Sequence, residues 1–159
     1  ERGEALIQKL EAKLKAAAAD APRVGRRLSA LVYQVNGISA GDGSLGEAVL
    51  GWAGFDNHGE KLRLGRGGQV PLEAVVANPP DLIVLTGPAN EYRTVVAENL
   101  RHPALDHVMR ERAAVIVPWR WWLCGTPHVG TAVELLAAER RKLLAAAQRS
   151  PDASGRVQR

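Results

Sequence analysis

Three short apolar runs, Leu28–Val35, Leu82–Leu85 and Ala113–Val117, constrain this chain more than any other feature. Each is rich in Val, Leu or Ile, and each is separated from the next by segments with helical spacing. Apolar strands alternating with helices imply a parallel sheet covered on both faces. With 159 residues, 46% of them apolar and 24% charged, the chain can bury one sizeable core. The predicted fold is therefore α/β: a three-layer sandwich around a central, mainly parallel sheet of about four or five strands.

The connecting segments are punctuated in the same sense. Leu6, Ile7, Leu10, Leu14 and Ala17 recur at helical spacing, which predicts an amphipathic helix of about five turns ending near Asp20-Ala21-Pro22. A glycine-rich loop runs from Gly37 to Gly46. Within it Ser44 and Glu47 make a capping box for a helix with Leu45, Val49 and Trp52 on its apolar face, and Gly54 is its stop. Residues 55–69 read as a polar connection with at most a short strand at Leu62–Leu64. Pro71 opens a short helix over Leu72–Ala77, and Asn78-Pro79-Pro80-Asp81 ends it. A helix is expected over about 90–100, a short helical turn at His102-Pro103, and a long final helix from Thr126-Pro127 to about Ala147.

Charge excludes one class of partner. Residues 1–138 carry 15 basic and 15 acidic side chains, so the net charge of +4 belongs to the last 21 residues. A basic terminal helix complements its own dipole, and no basic stripe with interleaved aromatics marks the body, so no nucleic-acid partner is expected. Cys124 is the lone cysteine, so no internal disulfide can form. No stretch approaches the ~18 apolar residues of a membrane span. Glu1-Arg2-Gly3-Glu4 runs straight into a helical pattern, which suggests a chain that begins mid-protein.

In parallel sheets, ligands gather at the loops leaving the carboxyl ends of the strands. Here those loops are 36–44, 86–93 and 118–126, and they hold most of the unusual residues. Asn36 opens the first. Trp119-Arg120-Trp121-Trp122 leaves the third strand and offers aromatic walls with one cation, suited to a planar or anionic ligand. Tyr92 and Arg93 follow Thr86-Gly87-Pro88 and could reach the same crevice. Gly41, Gly43 and Gly46 formally match a dinucleotide fingerprint, yet no apolar strand ending in an acid follows at the required distance. The four histidines lack metal-ligand spacing, and Cys124 with His128 has no orienting acid, so neither a metal site nor catalysis is expected.

Taken in order, several stretches resemble the C-terminal lobe of the helical-backbone (class III) periplasmic binding proteins. They are the helix Gly3–Ala19, Gly41-Asp42-Gly43-Ser44, Leu50-Gly51-Trp52-Ala53-Gly54-Phe55-Asp56-Asn57, Pro71-Leu72-Glu73-Ala74, Asn78–Leu85, His102-Pro103-Ala104-Leu105 and Val115–Pro118 with Trp122. The resemblance implies a substrate-binding component of an ABC importer that captures an iron-siderophore or related metal chelate, cobalamin and haem included, for a membrane permease. It implies an extracytoplasmic location, a complementary N-terminal lobe, no resident cofactor and no catalysis. Residues 1–22 would be the helix from the inter-lobe segment, 23–148 the ligand-binding lobe and 149–159 a flexible tail. Ligand contacts would come from Trp119, Arg120, Trp121, Trp122, Tyr92, Arg93 and Asn36, and Glu47 would dock on the permease. Two alternatives remain open on the residues alone: a nucleotide-dependent α/β enzyme using Gly41–Gly46, and a non-catalytic interaction module anchored by the tryptophans.

Overall fold

The computed structural model describes residues 2–19, 21, 26–88, 95–122 and 124–149. Among these, four parallel strands form the main sheet: β1 (Ser29–Val32), β3 (Asp56–Asn57), β5 (Leu82–Leu85) and β6 (Ala113–Ile116), in the order β3-β1-β5-β6. A second sheet pairs β2 (Ile38–Ala40) antiparallel with β4 (Gly67–Gln69). The helices are α1 (Arg2–Ala19), α2 (Leu45–Trp52), α3 (His58–Lys61), α4 (Leu72–Ala77), α5 (Pro103–Glu111) and α6 (Val129–Arg149).

Strand periodicity divides the apolar side chains between two layers. Ala30, Val32, Leu82 and Val84 join Val49, Leu50, Val133 and Leu136 on the face covered by α1, α2 and α6. Their neighbours Leu31, Tyr33, Ile83 and Leu85 join Val75, Leu105 and Val108 on the opposite face, under α4 and α5. The central strands β1 and β5 are buried along their whole length. Each fully buried Leu, Ile or Val contributes about 1.5–3 kcal/mol relative to exposure, so this pair anchors the domain.

Several sequence expectations are corrected. Ala113–Ile116 is not buried on both faces: it is the sheet edge, with Ala113 and Val115 turned to the first core and Ala114 and Ile116 exposed. Leu62–Leu64, where at most a short strand is expected, forms none. Leu62 and Leu64 pack against the second core instead, and the turn between them is carried by Arg63 at φ 56°. The polar connection holds two strands the apolar pattern cannot reveal, β3 and β4. The helix expected over about 90–100 is a 3-10 helix over Val95–Arg101, and the first residues of the expected segment lie outside the described set. The helical turn at His102-Pro103 extends to nine residues, with His102 Nδ1 accepting from Ala104 N at 3.1 Å as its cap. The final helix starts at Val129, two residues after Pro127. The tail beyond residue 149 lies outside the described residues.

Local chemistry explains the α2 boundaries. Ser44 Oγ accepts from Glu47 N at 3.1 Å, while Glu47 Oε2 accepts from Gly43 N at 2.6 Å, one residue beyond the reciprocal capping-box partner Ser44 N. At the other end Phe55 N donates to Leu50 O and Gly54 N to Gly51 O, both at 3.0 Å, around Gly54 at φ 84°. This is the Schellman stop. The Arg140 guanidinium, fully buried, donates from Nη1 to the Ala53 carbonyl and ties α6 to that terminus.

Candidate ligand-binding site

The chain leaves β1 toward β3 on one side of the sheet and leaves β5 toward β6 on the other. Travel across the sheet therefore reverses between β1 and β5, and diverging connections leave a crevice at the carboxyl ends of those strands. A cavity of about 230 Å³ lies there. Val32 and Gln34 line it from the end of β1, and Thr86 from the end of β5. Ser39, Ala40, Gly41, Ser44 and Gly46 form one side; Trp119 and Trp122 form another, and Arg66 completes it. The glycine turn and the tryptophan turn thus open onto a shared cleft.

Each wall is held by a specific device. The tryptophan turn is an extension of the sheet ladder: Val117 N donates to Leu85 O at 2.8 Å and Trp119 N to Thr86 O at 3.0 Å. Pro118 then starts a 3-10 turn over Trp119–Trp121. Trp122 is 8% exposed and belongs to the first core, whereas Trp119 is 46% exposed and presents an aromatic surface to the cleft. Gln34 is positioned by Asn99, whose side chain donates to Gln34 O and accepts from Asn36 N, each at 3.1 Å. That clamp keeps Asn36 at φ 59°, a left-handed conformation that asparagine tolerates better than most residues. Ala40 is held by Asn57, whose Nδ2 donates to Ala40 O at 3.2 Å while its Oδ1 accepts from Gly59 N at 3.0 Å.

Gly41 follows β2 directly and lies against the backbone that enters β4. A Cβ at this position would run into the backbone of Arg66 and Gly67, so no larger residue fits. Asp42 N donates to Gly65 O at 2.6 Å and pins the same approach. On the outer side of this turn Asp42, Glu47 and Glu60 bring carboxylate oxygens within 4.8 Å of one another. Desolvation raises the Glu60 carboxyl above its ordinary value, reinforced by its hydrogen bond to Glu47 and the like charges of Glu47, Asp42 and Asp56.

The anticipated site residues fall into three groups. Trp119 and Trp122 line the cavity. Arg120, Trp121 and Asn36 do not: Arg120 is exposed with its guanidinium carbon 6.0 Å from the Trp121 ring centroid, Trp121 packs on the first core, and Asn36 is exposed beside the lining residue Gln34. Tyr92 and Arg93 lie outside the described residues. The strand that precedes Gly41, Gly43 and Gly46 is β2, which pairs with β4 outside the parallel sheet. A dinucleotide loop instead leaves a central parallel strand directly into its helix.

The model of the family described as periplasmic binding protein matches residues 1–112. The chain belongs to that family. It corresponds to the C-terminal lobe of the class III periplasmic binding proteins, a family of non-catalytic binders. Among solved structures it is similar to the periplasmic heme-binding protein RhuT from Roseiflexus sp. RS-1 in apo form, with TM-score 0.68 and 20% identity over 89% of this chain and 56% of that one. It is similar to Helicobacter pylori CeuE with Ni(II) bound, with TM-score 0.67 and 15% identity over 89% of this chain and 46% of that one. It is also similar to the periplasmic vitamin B12 binding protein BtuF of Vibrio cholerae, with TM-score 0.61 and 17% identity over 86% and 51%. The chain thus spans about half the length of these structures. No curated protein sequence matches it.

Within this periplasmic binding protein lobe, Arg66, Ser39, Gln34 and the buttressing Asn99 were not singled out by sequence. The β2–β4 pairing brings Arg66 to the cavity, and two glycines in β4 leave that strand without a side-chain pattern. Asn99 bonds to residues 34 and 36 across more than 60 positions, a separation no local motif encodes.

Proposed function

We propose that this chain is the C-terminal lobe of the substrate-binding component of an ABC importer, capturing an iron-siderophore or related metal chelate outside the cytoplasm for delivery to a membrane permease. The observation that carries this reading is the cavity at the β1/β5 reversal, where the glycine turn and the tryptophan turn meet. Its family membership supports a binding role, and the ligand class is suggested by the similar structures of a heme-binding protein, a vitamin B12 binding protein and a protein with Ni(II) bound. No helix among the described residues is long and apolar enough to cross a membrane.

The size of the cavity bears on how binding works. At about 230 Å³ it falls below the ~300–1,000 Å³ of complete small-molecule sites. A second lobe closing over the cleft would supply the missing wall, with α1 (within residues 1–22) as part of the inter-lobe segment and 23–148 as the ligand-binding lobe. Trp119 and Trp122 would stack on the chelate, while Arg120 and Trp121 at the rim, with Asn36, Tyr92 and Arg93, would meet it from the surrounding loops. Glu47, within the acidic group of Asp42 and Glu60, would face permease arginines.

The test is a titration of the two-lobed protein carrying this sequence, read by tryptophan fluorescence, against ferric hydroxamate, heme and cobalamin. Saturable quenching by one of them at submicromolar concentration is expected, with far weaker binding by residues 1–159 alone. Failure of every chelate to bind the two-lobed protein, or submicromolar binding by the single lobe, defeats the proposal.

A further inference from the structure

We infer that the ligand presents an anionic oxygen group to Arg66 and Ser39, beside a flat apolar surface resting on Trp119. This rests on the cleft being the ligand site, and it names the chemistry the cleft selects. Arg66 lines the cavity, and among the described residues no carboxylate forms an ion pair with it. Arginine offers a positive charge on a planar fork of N–H donors that matches a carboxylate or similar oxyanion. As a ligand and a second surface exclude water, an uncompensated guanidinium becomes costly, so the cleft favours a partner that brings negative charge and disfavours a neutral one.

Ser39 supplies an independent observation. It lines the same cavity, is 6% exposed, and its buried hydroxyl has no hydrogen-bond partner. A buried hydroxyl without a partner costs free energy that an acceptor on the ligand recovers. The strand register explains why these two groups converge. Ser39 pairs with Gly68 and Ala40 with Gly67, so one further step sets Arg66 opposite Gly41. Residues 39 and 41 share a face of β2, and Arg66 and Gly68 share the matching face of β4. Glycine at 41 and 68 leaves that face free of other side chains, so Arg66 and Ser39 are the polar groups that remain on it. Asp42, next to Gly41, borders a second surface cavity with Arg66 but forms no ion pair with it, and its carboxylate gathers with those of Glu47 and Glu60.

The probe is a naphthalene carboxylate against its neutral carboxamide, each titrated into the 159-residue chain and followed by the indole N–H resonances of Trp119 and Trp122. The carboxylate is expected to shift both resonances saturably at millimolar concentration, with the carboxamide about tenfold weaker because it lacks the charge-assisted hydrogen bond. Arg66→Gln should remove the preference while Arg66→Lys retains part of it, and Ser39→Ala should weaken both probes, the carboxylate more because a charged acceptor gains more from the hydroxyl. Equal binding of the two probes, a preference that survives Arg66→Gln, or no saturable shift with the carboxylate overturns the inference. Chelate binding by the two-lobed protein with no acid preference here would remove only the Arg66 anchor. The converse result would remove the chelate-receptor reading and leave the anchor standing.

Discussion

A glycine series isolates the contact that builds the cleft. Gly41→Ala places a methyl group well inside the ~3.5 Å at which carbon atoms rest against each other, and what it meets is the backbone of Arg66 and Gly67. Backbone held in a strand pair cannot rotate away as a side chain can, so the β2–β4 pair has to spread. Overpacking of this kind costs about 3 kcal/mol, which for a chain of this size lowers Tm by roughly 6–12 °C. Gly43→Ala is the control for conformational strain: its φ is 74° with nothing within 4 Å of the new atom, so only about 1 kcal/mol is expected. Gly51→Ala is the opposite control, since that residue sits in α2 with open space around it. Better helix propensity should stabilise it by about 0.5–1 kcal/mol. Urea denaturation of the three variants and the parent gives the ordering directly. A Gly41→Ala variant within about 0.5 kcal/mol of the parent would refute the close approach, and with it the argument that the register of this pair sets the face bearing Arg66.

Acid should weaken the fold in two separate windows. His58 is buried, with Nε2 on the Asn78 carbonyl at 2.8 Å, and burial lowers its pKa below 6.5 despite that bond and the Asp81 charge, with Lys61 adding to the fall. The unfolded chain therefore takes up the proton first: stability is constant above about pH 6.5 and falls below it by at most ~1.4 kcal/mol per pH unit. Urea midpoints at pH 7.5 and 5.5 should differ for the parent and converge for His58→Gln, whose amide can keep the Asn78 bond; an unchanged parent midpoint would contradict this. Asp81 is desolvated, which would raise its pKa, but Ser29 N and Oγ and the Arg26 guanidinium outweigh that and hold it below the ordinary 3.8. Its contribution is present above about pH 4 and disappears as pH drops through the lowered value, so Asp81→Asn should destabilise at neutral pH and lose that deficit in acid.

How much of this was legible in the sequence follows from how each element is stabilised. Leu82–Leu85 and the core of Leu28–Val35 were readable because both faces are buried, and burial on both faces writes an unbroken apolar run. The same rule misread Ala113–Ile116, since an edge strand can carry apolar residues while one of its faces stays exposed. Asp56–Asn57 left no trace because two polar residues pair with Ser29 and Ala30 through backbone alone. Gly67–Gln69 was equally silent: its first two residues have no side chains to pattern.

The site divides along the same line. Tryptophans at a strand exit are conspicuous in any reading, and topology carries Trp119 and Trp122 to the β1/β5 reversal. The arginine beside them in sequence was the natural choice for the cation, yet a 3-10 turn swings successive residues around its axis, and Arg120 ends exposed near the Trp121 ring. The cation that lines the cavity is Arg66, brought there by an antiparallel register whose only sequence trace is a few glycines. Adjacency along the chain therefore located the aromatic wall of this cleft, while its charge came from a strand pairing that no local pattern specifies. Chemistry supplied by register can be inferred only once the backbone approach at Gly41 is known.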